Sequence, residues 1–212
     1  KMNVGTPPSV PSLALGASDV TLSALTAAYG SFANGGIVRK PVLIRRVEDS
    51  DGQGLFTEPG KAERAVSEPP AFLMASMLAD VINAGTAYRA RQSGFTLPAA
   101  GKTGTTNDYV DAWFVGFTPK LVTGVWIGFD QPRTIIRNGY AGEIAVPLWA
   151  GFMKVATKDD KPEWLTRPAG VIGTKSVIAS APDGYTLLYT PSSLSLTVAV
   201  HKTPPYDVAK DL

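Results

Sequence analysis

Cysteine is missing altogether from the 212 residues. That excludes disulfides, zinc–thiolate sites and thiol catalysis, and it is compatible with an extracytoplasmic protein. Histidine is nearly missing as well. The single imidazole, His201, would have to serve any Ser-His-Asp triad, and nothing around it resembles a site. No apolar run approaches the roughly eighteen residues a membrane span needs, and no N-terminal signal pattern is present. Lys and Arg number 20 against 18 Asp and Glu, a formal charge of +2. So mild an excess gives no reason to expect nucleic acid as a partner. We expect neither a metal nor a cofactor.

What is there is a globular composition, 44% hydrophobic and 18% charged, long enough for one substantial domain or a domain plus a fragment. The opening "KMNVGTPPSVPSLALGAS" reads as the interior of a longer chain. Leu22, Leu25, Ala28, Tyr29 and Phe32 recur at helical spacing after the cap candidates Asp19 and Thr21, and Gly35-Gly36 stops them. The pattern predicts a helix over 21–33. Strand-like runs at 42–48 and 54–57, joined through Asp51-Gly52, predict a hairpin. A second helix is expected over 69–83, opened by prolines and ended by Gly85, with Phe72, Met74, Met77, Leu78, Val81 and Ile82 on a broad apolar face.

Three strand candidates follow, at 99–106, 111–118 and 121–129. Their links are short enough only for antiparallel neighbours, so a meander results. In "EIAVPLWAGFMKVATK", Ile144, Leu148, Phe152 and Val155 mark a helix near 141–157 that would cover one face of the meander, with Pro147 in its first turns. Trp113, Phe114, Trp126 and Phe129 are assigned to core and sheet-face packing. Asp108 and Asp111 are assigned to the turn and the strand start.

The first of those strands opens "GKTGTTNDY". A phosphate-binding loop would need a glycine five positions before Gly101 and a helix after it, but position 96 is Thr96, and β-branched and turn residues follow. Lys102 therefore has another task. On a strand alternate side chains share a face, so Thr103 and Thr105 point one way and Lys102 the other. A threonine-rich strand with a solvated lysine would by itself need no further explanation.

"PSLALGASDVTLSALTAAYGSFANGG", "INAGTAYRA" and above all "GKTGTTNDYVDAWFVGFTP" together resemble the C-terminal half of the transpeptidase domain of class A penicillin-binding proteins, over about residues 1–171. The resemblance implies a partial penicillin-binding and β-lactamase-like fold of α and β elements, an antiparallel sheet flanked by helices. It also implies peptidoglycan cross-linking by serine acyl transfer on D-Ala-D-Ala peptides. Such a protein lies on the periplasmic side of the bacterial inner membrane and is membrane-anchored, with the stem peptide and β-lactams as its ligands. In these terms Thr103 and Thr105 bind the peptide's terminal carboxylate. Lys102 adds positive charge from behind, Gly104 leaves the strand unobstructed, and the backbone N–H of Thr105 is one of two oxyanion donors.

The same resemblance exposes two gaps. No serine has lysine three positions on, and no Ser-x-Asn occurs. In the family both elements lie upstream of the "PSLALG" segment, so their absence is what an N-terminal truncation would produce. The chain is then expected to bind and orient but not to acylate.

After Trp164 the text changes. "APDGYTLL" and "PPYDVAKDL" are similar to the N-terminal part of the periplasmic substrate-binding proteins of tripartite tricarboxylate transport, over about residues 172–212. That implies a helix, a strand at 185–189, and a turn at Ser192 and Ser193 opening a carboxylate-holding helix. The juncture near 168–173 suggests a fused or misassembled reading frame. Two other functions compete with the enzyme fragment: a carboxylate-solute binding module built on the tail, and a noncatalytic cell-wall scaffold.

Overall fold

The computed structural model describes Val4, residues 9–16 and residues 18–168. The helix–strand–helix unit expected in the tail lies outside the described residues. A short 3-10 turn, Pro11–Leu15, precedes helix α1, Leu22–Ala33. Thr21 is its cap, the hydroxyl accepting from Ala24 N at 3.3 Å, which supplies one of the N–H partners a helix start lacks.

Between α1 and the next helix lie four short strands: β1 (Ile37–Arg39), β2 (Arg46–Glu48), β3 (Gly54–Thr57) and β4 (Ala62–Arg64). The expected hairpin is β2 with β3, antiparallel, its turn held by Asp49, whose Oδ1 accepts from Asp51 N and Gln53 N. Not foreseen is the pairing of β1 with β4 around that hairpin. Gly36 allows it: φ is +87°, and a Cβ there would lie 2.1 Å from the Val66 carbonyl oxygen.

Helix α2 spans Glu68–Asn83, and a single turn α3, Arg89–Gln92, follows. The meander is as expected: β5 (Ala100–Thr105), β6 (Ala112–Phe117) and β7 (Val122–Ile127) in the order β5-β6-β7, antiparallel throughout, with α4 (Ala141–Ala156) after it.

The two faces of this sheet are covered differently. Ala112 and Phe114 on β6 pack with Ala141, Ala145, Trp149 and Met153 of α4, and with Phe95 and Ala99. Trp149 sets the geometry, edge-on to both Phe95 and Phe114 at 5.1 Å between centroids, its indole N–H donating to Gly116 O at 3.3 Å. Phe117 and Ala100 face the other way, toward Ala75 and Leu78 of α2 and Tyr29 and Phe32 of α1.

Two apolar faces named from the sequence turn out differently. On α4, Leu148, Phe152 and Val155 are 58%, 54% and 72% exposed, and the buried residues are Ala141, Ala145, Val146, Trp149, Ala150 and Met153. The helix does cover the meander, but with its small side: alanines let the backbone approach the sheet closely enough for Trp149 to fill the gap. On α2, Met74 and Met77 are exposed, and Ala71, Ala75, Leu78 and Ile82 face inward. Phe114 is core as expected, whereas Trp126 and Phe129 lie partly in solvent.

Candidate functional site

Among the described residues strand β5 has a partner on one side only, so the direction of each of its backbone groups matters. Thr106 N donates to Asp111 O, one step beyond the last β5–β6 register pair, Thr105 with Ala112. In an antiparallel ladder the bonded pairs alternate, so the amides of Lys102 and Gly104 point toward β6 and those of Thr103 and Thr105 point to the free edge. Thr105 N–H is therefore presented outward beside two hydroxyls, those of Thr103 and Thr105 on one face of the strand.

Both hydroxyls have protein partners. Thr103 Oγ1 lies 2.7 Å from Thr86 Oγ1, in the loop that leaves α2. Thr105 Oγ1 accepts from Ala141 N, the first amide of α4, at 3.0 Å. A backbone N–H can only donate, so the Thr105 proton is free to point at a ligand. The start of a 16-residue helix adds positive dipole beside this hydroxyl.

Lys102 is exposed, and its ammonium donates to Thr103 O at 2.8 Å, which puts the charge along the strand's free edge. Gly104 is not forced by packing: a Cβ there would sit an ordinary 3.4 Å from Trp113 Cβ. Gly101, by contrast, would place a Cβ 2.6 Å from Phe114 Cζ and 2.8 Å from Val115 O. One glycine serves the fold, and the other leaves room along the edge.

The turn after β5 is pinned by Asp111. Its Oδ1 accepts from the Trp126 indole at 2.9 Å and its Oδ2 from the Thr106 hydroxyl at 3.3 Å, and its own N–H reaches Thr106 Oγ1 at 2.8 Å. Asp108 and Tyr109 take left-handed backbone angles, φ +57° and +56°. Asp108 thus lies in the turn and Asp111 directly before the first residue of β6, close to the expected turn and strand start, and Asp111 also holds the Thr105 end of β5 in place. Beyond it the Tyr109 hydroxyl lies 3.1 Å from that of Tyr140, the residue before α4. That hydrogen bond pushes the Tyr109 phenol above its ordinary pKa, with desolvation adding to it.

All four residues named from the sequence, Lys102, Thr103, Gly104 and Thr105, lie on this one strand. Thr86, Tyr140 and the Ala141 amide join them without having been singled out. Thr86 stood inside "INAGTAYRA", but only as part of a resemblance, and no local pattern tied it to Thr103, 17 residues later. Among the described residues no cluster of His, Asp and Glu could hold a metal ion, and no helix is long and apolar enough to cross a membrane.

Residues 7–153 match the model of the penicillin-binding protein transpeptidase domain. Among curated relatives, penicillin-binding protein 1A of Neisseria gonorrhoeae is 40% identical over 172 residues, covering 79% of this chain and 21% of that protein. Penicillin-binding protein 1A of Pseudomonas aeruginosa is 35% identical, covering 77% of this chain and 26% of the relative. Among solved structures, penicillin-binding protein 1A from Haemophilus influenzae superposes with a TM-score of 0.71 at 30% identity, over 77% of this chain and 30% of that one. PonA1 of Mycobacterium tuberculosis in complex with penicillin V gives 0.64 at 25% identity, over 76% and 44%. The chain spans about a fifth to a quarter of the length of these curated relatives.

Proposed function

Because this chain belongs to the penicillin-binding transpeptidase family, we propose that its β5 edge receives the C-terminal carboxylate of a D-Ala-D-Ala stem peptide in peptidoglycan cross-linking. The single observation that carries this is the convergence at one unpaired strand edge of two hydroxyls, an outward amide and an ammonium. An extended peptide laid along the edge would pair with the outward amides, as strand addition requires. Its carboxylate would accept from Thr103 and Thr105, with Lys102 supplying the compensating charge.

The role of Thr105 N–H follows from where charge develops. When a serine attacks the penultimate carbonyl, the oxygen becomes anionic, and a donor already aimed at it costs no reorganisation. One such donor is worth about 3 kcal/mol of transition-state stabilisation. The serine and its lysine base are not among these residues: the sequence holds no Ser-x-x-Lys and no Ser-x-Asn. The chain alone binds and orients but does not acylate. The reaction belongs on the periplasmic side of the inner membrane, in a membrane-anchored protein for which β-lactams are ligands by the same contacts.

We further propose that the transpeptidase segment ends near residue 171. Residues 172–212 then form a tail derived from a tricarboxylate-transport binding protein. The similarity of that stretch at "APDGYTLL" and "PPYDVAKDL" supports this.

Titration of the isotope-labelled chain with diacetyl-L-Lys-D-Ala-D-Ala tests the main proposal. Amide shifts are expected at 102–106, at Thr86 and at 140–142, and Thr103→Val with Thr105→Val should abolish them. Shifts confined to the tail, or none, would refute it. In parallel, intact mass after incubation with benzylpenicillin should be unchanged; a stoichiometric adduct would overturn the statement that the chain does not acylate.

A further inference from the structure

We infer that Thr86 is a positioning residue for the carboxylate site: its hydroxyl donates to Thr103 Oγ1 and so turns the Thr103 proton toward the bound anion. This rests on the proposed role of β5 and concerns a residue outside the strand.

The two oxygens are 2.7 Å apart, and either could be the donor. Each threonine hydroxyl owns one proton, and a carboxylate has none to give. With Thr103 donating to Thr86, only lone pairs would face the anion, which repels them. With Thr86 donating, the Thr103 proton is free for the carboxylate. Binding therefore selects one polarity of the pair. At Thr105 the polarity is already decided, because the Ala141 amide can only donate. Thr86 does for one hydroxyl what the first amide of α4 does for the other. A chain of two such bonds also strengthens itself, since each donor is polarised by the one behind it.

Thr86 is held where this requires. Next to it Ala87 is fully buried and its N–H bonds to Val81 O at 2.9 Å, while Tyr88 N bonds to Gly85 O at 3.0 Å. Its own carbonyl oxygen backs onto Gly142, where a Cβ would come within 2.5 Å. The loop is clamped between the end of α2 and the first turn of α4, which fixes the backbone from which the hydroxyl reaches Thr103 on β5.

The experiment compares the full chain with Thr86→Val, which keeps the shape and removes the hydroxyl, and Thr86→Ser, which restores it. Probes are diacetyl-L-Lys-D-Ala-D-Ala and its C-terminal carboxamide. Affinity for the carboxylate should fall roughly three- to tenfold in Thr86→Val, the loss of about one hydrogen bond, and recover in Thr86→Ser. Affinity for the carboxamide, which can itself donate, should be the same in all three. In the unliganded chain, three-bond couplings to Thr103 Cγ2 should report one χ1 rotamer in wild type and Thr86→Ser, and averaging in Thr86→Val. Thr86→Ala provides the same comparison should the valine variant not fold.

A single Thr103 rotamer without the Thr86 hydroxyl would overturn the inference. So would equal weakening of both peptides, or failure of serine to rescue. If wild type binds neither peptide, the assignment of β5 as a carboxylate site fails, and the couplings still decide whether Thr86 sets Thr103.

Discussion

The β5–β6–β7 meander and the β2–β3 hairpin are both antiparallel and both rich in β-branched and aromatic residues, yet they contribute to the molecule in opposite ways. Phe114, Val115 and Phe117 of the meander are buried between α4 on one face and α1 with α2 on the other. Every residue of β2 and β3 is exposed, and just before them Leu43 is 98% accessible. The hairpin is held by its turn, through Asp49 and Gly52 at φ +80°, and by its own ladder. The difference teaches that local sequence suffices to make two strands pair, but only layers supplied from elsewhere in the chain make them a core. The site lies on the buried element because a strand that must offer two hydroxyls and an amide at fixed spacing needs a rigid support.

The comparison is broken most severely at Trp149. Truncation to alanine removes the side chain wedged between Phe95 and Phe114, and it should lower unfolding free energy by roughly 3–5 kcal/mol. Urea denaturation followed by tryptophan fluorescence measures this, and a loss under about 1 kcal/mol would mean that the meander does not depend on α4.

Gly101→Ala comes next. Its Cβ would meet Phe114 and the Val115 carbonyl, and shifting backbone inside a packed sheet costs about 1–3 kcal/mol. Gly104→Ala, with its 3.4 Å clearance, should leave thermal stability nearly unchanged while weakening peptide binding. Equal losses of stability at both positions would show that Gly104 is a packing residue.

Alkaline pH separates the faces of the sheet. Burial raises the pKa of Tyr29, which packs on the α1–α2 side. In the unfolded chain that phenol ionises near pH 10, whereas in the fold it stays neutral to higher pH. The stabilisation is therefore fully present below about pH 10 and is lost as pH rises through the folded value, because the unfolded state then binds fewer protons. Tyr29→Phe should flatten the decline of stability above pH 10 and change little at pH 7. An unchanged alkaline slope would count against burial of that hydroxyl.

The smallest effect belongs to the hairpin. Leu43→Ser should change stability by no more than about 0.5 kcal/mol, the range of ordinary surface substitutions. A loss comparable to that of a core truncation would show that the hairpin is covered in solution.

Much of this architecture was legible because its signals are local. Period-two strands at 99–129 with two short links admit only a meander, Thr21 caps α1, and Gly85 follows the end of α2. The grouping of Lys102, Thr103, Gly104 and Thr105 needed nothing beyond adjacency in the sequence and the alternation of a strand. The pairing of Ile37–Arg39 with Ala62–Arg64 was not legible, since three-residue strands carry no periodicity and their partners lie more than twenty residues apart. The buried face of α4 was misjudged because Leu148, Phe152 and Val155 are larger and more apolar than the alanines that in fact approach the sheet.

The sequence by itself therefore determined the three long helices, the hairpin and the meander, and that a lysine and two threonines share one strand, because each of these depends on residues within a few positions of one another. Only the tertiary structure decided which helix faces are buried, which edge of β5 stays free, and that Thr86 and the Ala141 amide reach the two threonine hydroxyls. Those contacts join a loop, a strand and a helix start that are 17 and 36 residues apart along the chain. Their proximity comes from the packing of α2 and α4 around the meander, which no local pattern encodes.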